Sequence, residues 1–183
     1  MSVIYALERL GASYELTDDH EKILNAERII FPGVGEASTA MKSLRKCNLD
    51  ILIPNLKQPF LGTCVGMQLL CNHSEENDTP CLGVFDLKIL RFPTTPEYKI
   101  PQTGWNNIYN YKTDLLMGLS EQSYVYYNHG YYAPVSKFTV ATTDYMLPYS
   151  AMLQKENFYA CQFHSEISGK VGEQIFKNFL EIS

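Results

Sequence analysis

The stretch that most restricts how this chain can fold is "GTCVG", Gly62 to Gly66, between an apolar strand-like run and a run with helical spacing. The glycines permit a tight turn, and the side chain between them would project from the carboxyl end of the strand. Cys64 is therefore a candidate nucleophile, because the amides and dipole of the helix would favour its thiolate form. The amide of Val65 would be placed to donate to an oxyanion. The alternative is a buried structural cysteine in a strand–helix turn.

A cysteine nucleophile usually needs a base, and four histidines are available: His20, His73, His129 and His164. His20 and His73 lie in polar turns, where we expect them to be solvated. His164 ends the apolar run "FYACQF", and Glu166 lies on the same side of an extended backbone two positions later. Cys64, His164 and Glu166 would supply the nucleophile, the base and the acid that orients the base. The alternative is a strand-end histidine with an incidental acid nearby.

A second strand–turn–helix pattern occurs at "FPGVGEAS", Phe31 to Ser38. If this turn lies beside the first, its amides near Val34 and Gly35 could complete an oxyanion hole. The turn lacks the Lys-Ser/Thr ending of a phosphate loop and the longer G-x-G-x-x-G spacing, so we set a phosphate site aside. A plain strand–helix turn is the alternative.

The alternation of elements predicts an α/β fold. Strands at "SYELT", "RIIFPG" and "QPFLG" alternate with helices at "SVIYALERLG", "EASTAMKSLRK" and "CVGMQLLCN", as in a parallel sheet. After about Ser74 the chain changes to strand-like runs, and a helix at "GKVGEQIFKNFLEIS" closes it. No repeat, low-complexity tract or linker is visible, so we predict a single domain over residues 1–183.

Composition argues against several classes of protein. The net charge of −5 and the lack of a basic run disfavour a nucleic-acid surface. No apolar stretch approaches the roughly 18 residues of a membrane span, and the N-terminus lacks the pattern of a secretory signal. The five cysteines show neither a CxxC pair nor zinc-ligand spacing, which favours a reducing compartment, the cytoplasm. We expect no metal and no cofactor.

Five segments, in this order, resemble the class I glutamine amidotransferases: "FPGVGEA", "GTCVGMQLLCNHSEE", "GWNNIY", "YNHGYYAP" and "NFYACQFHSEISGKVGEQIFKNFLE". Within that family the resemblance is closest to the glutaminase subunits of imidazole glycerol phosphate synthase, from histidine biosynthesis. It implies a flavodoxin-like α/β fold, with a mostly parallel sheet flanked by helices. It also implies hydrolysis of glutamine to glutamate and ammonia.

The resemblance implies a role for each catalytic residue. Cys64 would attack the carboxamide carbon of glutamine to form a thioester. His164, oriented by Glu166, would protonate the leaving ammonia and then activate water. The amides of Val34 and Val65 would hold the oxyanion.

The resemblance also implies residues that bind the substrate and a partner. Gln68, one helical turn beyond Cys64, would bind glutamine, and Glu76 would pair with its α-ammonium group. Trp105 and Asn106 would lie on the face that docks a (β/α)₈ cyclase subunit, which would receive the ammonia within a heterodimer. The other substrate-binding residues implied are Gly33 and Gly35, together with His129, Gly130 and Tyr131, which would hold the α-carboxylate.

The chain departs from the family pattern at its start and at several partner-facing or substrate-lining positions. The family begins with a strand before the first helix, and we expect a sheet that lacks this strand, with apolar neighbours exposed in consequence. The other departures are Ser165 and Ile167 in "HSEI", Gln102 and Thr103 in "PQTGWN", and Asn128 and Gly130 in "YYNHGYY".

These departures leave alternatives open. Ile167, where the family has a cation, favours a paralogous glutaminase that supplies ammonia to another synthase, such as a sugar amidotransferase. The absent strand favours a catalytically silent docking subunit, although the intact Cys64, His164 and Glu166 argue against silence. A cysteine peptidase of related fold is disfavoured, because Gln68 and Glu76 suit free glutamine.

Overall fold

The computed structural model describes residues 2–182. The helices are α1 (Ser2–Arg9), α2 (His20–Asn25), α3 (Ala37–Lys46), α4 (Leu49–Leu52), α5 (Val65–Leu69) and α6 (Gly169–Glu181). The strands are β1 (Ile29–Gly33), β2 (Phe60–Cys64), β3 (Cys71–Ser74), β4 (Thr79–Pro80), β5 (Phe85–Arg91), β6 (Gln102–Asn107), β7 (Tyr124–His129), β8 (Tyr131–Tyr132), β9 (Thr139–Tyr145), β10 (Leu147–Lys155) and β11 (Phe158–Cys161). Short 3₁₀ turns lie at Ile53–Asn55, Glu76–Asp78, Asp114–Leu116 and Ser165–Ile167.

The largest sheet has five strands in the order β1-β2-β11-β10-β9. β1, β2 and β11 run parallel, whereas β10 is antiparallel to both β11 and β9. The α/β class is confirmed, but the sheet is mixed rather than mostly parallel. The reason is that β9, β10 and β11 follow one another through turns of one or two residues, and turns that short can join only antiparallel strands.

Two smaller sheets accompany the central one. One has the order β4-β3-β5-β8, and the other joins β6 to β7. In the second, Gln102 pairs with His129 and Thr103 pairs with Asn128. This register brings two predicted functional segments, "PQTGWN" and "YYNHGYY", side by side.

Both faces of the central strand β2 are covered. Phe60 belongs to a hydrophobic cluster with Met41 of α3 and Met67 of α5, whereas Leu61 belongs to a second cluster with Phe176 of α6. Successive side chains of a strand point to opposite faces, so helices lie on both sides of the sheet. Every residue of β2 is buried, which explains the unbroken apolar run at this point of the sequence.

The prediction of a strand at "SYELT" is wrong. Residues 12–19 form neither helix nor strand, and Leu16 is 84% exposed. A strand forms where a neighbouring edge takes up its backbone hydrogen bonds, and this segment has no such neighbour within residues 2–182. β1 pairs only with β2 and is an edge of the sheet.

None of the helices within residues 2–182 has the length and apolar character that a membrane span requires.

Candidate active site

Cys64 ends β2 and immediately precedes α5, which is the strand–turn–helix placement predicted for it. Its backbone has φ 54° and ψ −114°, a conformation that non-glycine residues rarely adopt. Such a residue costs on the order of 1–3 kcal/mol and persists only where its surroundings hold it. The side chain is almost fully buried.

Two glycines allow the surrounding elements to approach this turn. Gly33, the last residue of β1, pairs with Cys64 across the sheet. A Cβ atom on Gly33 would lie 2.3 Å from the backbone nitrogen of Gly66, and one on Gly66 would lie 2.1 Å from the carbonyl oxygen of Phe31. Both contacts are with backbone and cannot be relieved by rotating a side chain. The two Gly-rich turns of the sequence are therefore adjacent in space.

His164 reaches the same edge of the sheet from β11. β11 runs parallel to β2, with Cys161 paired with Thr63, so the carboxyl ends of the two strands meet. Nδ1 of His164 lies 2.7 Å from Oε1 of Glu166, and these side chains are only 12% and 10% exposed. The backbone amide of His164 also donates to the carbonyl oxygen of Tyr126 at 2.9 Å, which ties the segment to β7.

Cys64 and Glu166 set the charge of His164. Burial lowers the pKa of His164, but hydrogen bonds and charge interactions with Cys64 and Glu166 outweigh burial and raise this pKa to about 10. The ring is therefore protonated at neutral pH. Because Nδ1 donates to Glu166, Nε2 is left to donate to Cys64. An imidazolium beside a thiol favours the thiolate, the nucleophilic form.

Three other thiols are in different surroundings. Burial raises the pKa of Cys71 and Cys161 far above the usual range, and it raises the pKa of Cys81 to about 11. Thiols in apolar surroundings stay protonated and unreactive. These three cysteines are structural.

The turn after β1 provides backbone amides beside Cys64. Within residues 2–182, no backbone hydrogen bond uses the amide of Val34, and Gly35 has a φ of 87°. Val65 is the first residue of α5, and the first amides of a helix lack partners inside it. Both amides predicted for an oxyanion hole are thus free to donate.

Gln68 lies in α5 with its side chain buried. Its Nε2 donates to the carbonyl oxygen of Tyr131 at 3.2 Å and to Oε1 of Gln162 at 3.0 Å. The structure therefore brings together the predicted residues Gln68 and Tyr131. Gln162, which the sequence did not single out, has a buried Nε2 without a hydrogen-bond partner in residues 2–182. Its position two residues before His164 was the available signal.

Glu76 lies beside the second Gly-rich turn. Its Oε2 accepts a hydrogen bond from the amide of Ala37 at 2.7 Å, so it caps the start of α3. A carboxylate is stabilised at a helix N-terminus by the free amides and the dipole. The predicted ammonium-binding residue thus anchors the helix that follows Val34 and Gly35.

His129 ends β7, and Gly130 connects it to β8. The side chain of His129 is buried, with Nδ1 2.7 Å from the carbonyl oxygen of Tyr131 and Nε2 3.0 Å from the hydroxyl of Tyr149. The amide of Phe92 donates to the carbonyl oxygen of Gly130 at 3.2 Å. The predicted segment therefore borders Gln68, but the His129 ring packs inside the protein.

The remaining histidines lie outside this site. His20 is exposed, as predicted, and its Nε2 contacts the carbonyl oxygen of Cys47 at 2.7 Å. His73 is half-buried rather than solvated, because it lies in β3 between β4 and β5. Its Nε2 lies 2.9 Å from a carboxylate oxygen of Asp78. Within residues 2–182, no group of three or more His, Cys, Asp or Glu residues is arranged to bind a metal ion.

A nucleophile at a strained turn, a hydrogen-bonded imidazolium–carboxylate pair and two free amides are the elements of acyl transfer. Comparison with known proteins points to the same chemistry. The sequence model of the family "Glutamine amidotransferase class-I" matches residues 1–182. The chain belongs to this family.

Similar proteins share nearly the whole length of this amidotransferase. The "Imidazole glycerol phosphate synthase subunit HisH" of Bacteroides fragilis is 52% identical over 182 residues, which are 99% of this chain and 93% of the relative. The protein of that name from Bacteroides thetaiotaomicron is 50% identical with the same coverage. A crystal structure of a glutamine amidotransferase is 18% identical, with a TM-score of 0.75 over 98% of this chain and 91% of the other, and so supports the fold.

The predicted docking residues of the amidotransferase lie on β6. Trp105 is 55% exposed, and its ring meets that of Tyr126 edge to face at 5.8 Å. This exposure disfavours the alternative that Trp105 is an ordinary core residue. Asn106 is partly buried and donates from Nδ2 to the carbonyl oxygen of Asp144 at 2.8 Å.

Two departures of the amidotransferase from the family pattern contact each other. Thr103 and Asn128 face one another across β6 and β7, with Oγ1 of Thr103 3.1 Å from Oδ1 of Asn128. Ser165 is buried against Cys161, with Oγ 3.3 Å from Sγ. Ile167 is 45% exposed, as a docking contact would be.

Proposed function

We propose that the protein is the glutaminase subunit of imidazole glycerol phosphate synthase, which hydrolyses glutamine to supply ammonia in histidine biosynthesis. Relatives of that name are 41–52% identical over nearly the full chain. The observation that carries the proposal is the placement of Cys64, at the junction of β2 and α5, beside a His164 ring that is hydrogen-bonded to Glu166.

The first half-reaction forms a thioester. The Cys64 thiolate attacks the carboxamide carbon, and the amides of Val34 and Val65 stabilise the oxyanion that forms. His164 starts as an imidazolium and gives its Nε2 proton to the amide nitrogen, which leaves as ammonia when the C–N bond breaks. Glu166 keeps the ring in the orientation and tautomer that this transfer needs.

The second half-reaction regenerates the enzyme. Neutral His164 takes a proton from water as the oxygen attacks the thioester carbon, and the same two amides stabilise the second oxyanion. The C–S bond then breaks, releasing glutamate, and Cys64 and His164 return to the thiolate–imidazolium pair. The net change is glutamine plus water to glutamate plus ammonia.

Several groups would hold the substrate. Gln68 would contact its side chain, and Glu76 would accept from the α-ammonium group through the oxygen that does not cap α3. The backbone of Gly33 and Gly35, and the segment of His129, Gly130 and Tyr131, would line the remainder. One carboxylate for the α-ammonium group and backbone groups for the α-carboxylate would suit a free amino acid.

Ammonia released into water would be protonated and lost, so the proposal includes a docked acceptor. The partner would be the cyclase subunit, bound as a heterodimer in the cytoplasm, with Trp105, Asn106 and Ile167 at the interface. An exposed aromatic residue on a rigid strand is typical of a residue that contributes strongly to binding.

Glutamate release tests the proposal. We expect little release by the chain alone, a large increase with a cyclase subunit and its ribotide ligand, and none after Cys64→Ala. Cys47→Ala, at a partly exposed cysteine that contacts Asp18 and His20, is the matched control. Stimulation only by a different synthase would favour the paralogous glutaminase, and folded protein without turnover with any synthase would favour a silent subunit.

A further inference from the structure

A chain of buried polar groups runs from β6 to the proposed glutaminase site. The side-chain amide of Gln102 lies 2.8 Å from the hydroxyl of Tyr149, and that hydroxyl lies 3.0 Å from Nε2 of His129. Nδ1 of His129 lies 2.7 Å from the carbonyl oxygen of Tyr131, which also accepts from Nε2 of Gln68. All four side chains are at most 5% exposed.

Chemistry fixes the protons in this chain. A carbonyl oxygen only accepts, so Nδ1 of His129 carries a proton and donates to Tyr131. Burial lowers the pKa of His129 to about 4, so at neutral pH Nε2 is an acceptor and takes the proton of the Tyr149 hydroxyl. The structure places Oε1 of Gln102 against that hydroxyl. Because the one proton of the hydroxyl points to Nε2 of His129, we assign the Gln102 amide in the opposite orientation, with its nitrogen donating to the hydroxyl oxygen.

Burial outweighs the one contact that favours a charged His129 ring, the hydrogen bond to the Tyr131 carbonyl. The titratable groups that face it are the phenols of Tyr127 and Tyr149 and the His164 imidazolium. Burial raises the pKa of both phenols, so they are neutral at pH 7. The hydrogen bonds therefore run in one direction, from Gln102 to the carbonyl of Tyr131.

We propose that Gln102 and Tyr149 are positioning residues of the glutaminase site, which act through His129 to fix the Tyr131 carbonyl and, with it, the Gln68 side chain. This inference rests on the proposed function. Gln102 pairs with His129 across the sheet, and Trp105 lies three positions further along the same strand. A displacement of β6 when a partner docks would therefore reach Gln68 through this chain.

Removing the Tyr149 hydroxyl breaks the chain at its centre. Nε2 of His129 loses its donor and the amide of Gln102 loses its acceptor, and buried polar groups without partners are strongly disfavoured. The His129 ring and the Tyr131 carbonyl are then free to shift. Gln68 donates to that carbonyl, so its side chain would be held less firmly and would bind glutamine more weakly.

Tyr149→Phe tests the proposal against a matched control, Tyr127→Phe. Both phenols are fully buried, and the Tyr127 ring lies 5.4 Å from His129 and 6.1 Å from Tyr149, but its hydroxyl makes no hydrogen bond to His129, Gln102 or Gln68 within residues 2–182. In the complex with the cyclase subunit, we expect Tyr149→Phe to raise the KM for glutamine about tenfold, a typical effect of one lost buried hydrogen bond. Tyr127→Phe should leave KM within about twofold of the wild type.

Gln102→Glu supplies a readout that needs no turnover. A carboxylate at this position can only accept, so the Tyr149 hydroxyl would donate its hydrogen bond to it. His129 would then have to donate from Nε2 to the Tyr149 oxygen as well as from Nδ1 to the Tyr131 carbonyl, so both ring nitrogens would carry a proton. Nitrogen NMR of the ring should show protonation at Nδ1 alone in the wild type at pH 7, and at both nitrogens in Gln102→Glu. Gln102→Met, which removes the hydrogen bond with little change of size, should reduce the stimulation by the cyclase subunit several-fold.

The outcomes separate the inference from the function on which it rests. If the wild type releases glutamate but Tyr149→Phe and Tyr127→Phe behave alike, the positioning role is overturned and the glutaminase stands. An unchanged His129 ring in Gln102→Glu would also overturn it. If the wild type releases no glutamate with any synthase, the proposed function fails and the positioning role fails with it.

Discussion

The two buried histidines of this protein are held in opposite protonation states by their neighbours. His164 contacts Cys64 and Glu166 and is a cation, whereas His129 contacts a phenol and a carbonyl oxygen and is neutral. The sequence predicted the pair of His164 and Glu166, because their spacing within one segment brings them together. It could not predict the burial of His129, which depends on strands from distant parts of the chain.

Because the pKa of the buried His129 ring is lowered, we expect the protein to lose stability in acid. Its native pKa of about 4 lies below the usual 6.5, so between these values the unfolded chain binds a proton that the native state does not. The free energy of unfolding should fall with decreasing pH across this window, by up to about 1.4 kcal/mol per pH unit from this residue. Denaturant unfolding should show a shallower fall for His129→Gln. Parallel curves for the two proteins would contradict the prediction.

For His164 we expect the opposite dependence of the free energy of unfolding on pH. Its native pKa of about 10 lies above the usual 6.5, so its contribution is complete below pH 6.5 and is lost as the pH rises to about 10. The difference in free energy of unfolding between the wild type and His164→Asn should therefore shrink over this range. His20→Asn, at an exposed histidine outside the site, is the control for the substitution itself.

Glu166→Gln should separate orientation from nucleophilicity. The amide keeps the size of the side chain but can present a donor to Nδ1 of His164, which favours the wrong tautomer. We expect kcat of the complex to fall by about 10²–10⁴, in line with such changes in other triads. Glu173→Gln, at an exposed glutamate of α6, is the control. A fall of less than about threefold in Glu166→Gln would show that the carboxylate is not needed.

At the scale of elements, the sequence predicted correctly those helices and strands whose faces and ends are determined by nearby residues. The helices α1, α3 and α6 and the strands β1 and β2 were confirmed, because each has a clear apolar spacing and a Gly-rich or polar end. β10, the longest strand, was missed, since its run from Tyr149 to Leu153 is buried without alternation. Such a run forms a strand because β9 and β11 flank it, and this is information that the run itself does not contain.

The close packing of β1 on α5 yields a prediction for Gly66. In Gly66→Ala, the new Cβ would lie 2.1 Å from the Phe31 carbonyl oxygen, so β1 and the turn at Val34 must shift. We expect a loss of about 3 kcal/mol or more in the free energy of unfolding, with a large loss of glutaminase activity. In the control Gly130→Ala, the nearest atom would be Cγ2 of Ile100 at 3.5 Å. Its free energy of unfolding should change by less than about 1 kcal/mol, and equal losses would refute the packing argument.

At the scale of the whole molecule, the site occupies the edge where the carboxyl ends of β1, β2 and β11 meet. This location follows from the parallel part of the sheet, so the α/β pattern predicted it. The antiparallel part and the pairing of β6 with β7 arise from contacts across long stretches of chain. The sequence therefore predicted which side chains meet at this edge better than it predicted the strands around them, and the single domain over residues 1–183 stays a prediction.

Trp105 supplies a prediction about assembly. Because its side chain is exposed and rests on Tyr126, Trp105→Ala should weaken binding of the cyclase subunit by about 30-fold or more, the range of a dominant interface residue. The free energy of unfolding should barely change. Tyr14→Ala, an exposed aromatic in the unpaired segment 12–19, is the control for titration calorimetry. Equal affinities for both variants would move the docking face elsewhere.

The backbone of Cys64, with φ 54°, places the thiol at the turn but lowers the free energy of unfolding. Glycine at this position would relax the turn and recover on the order of 1–3 kcal/mol, while removing the sulfur on which the proposed hydrolysis depends. A related protein that no longer needs to catalyse hydrolysis would therefore gain free energy of unfolding from Cys64→Gly. A glycine at this position, in an otherwise similar chain, would therefore indicate that the chain has lost its glutaminase activity.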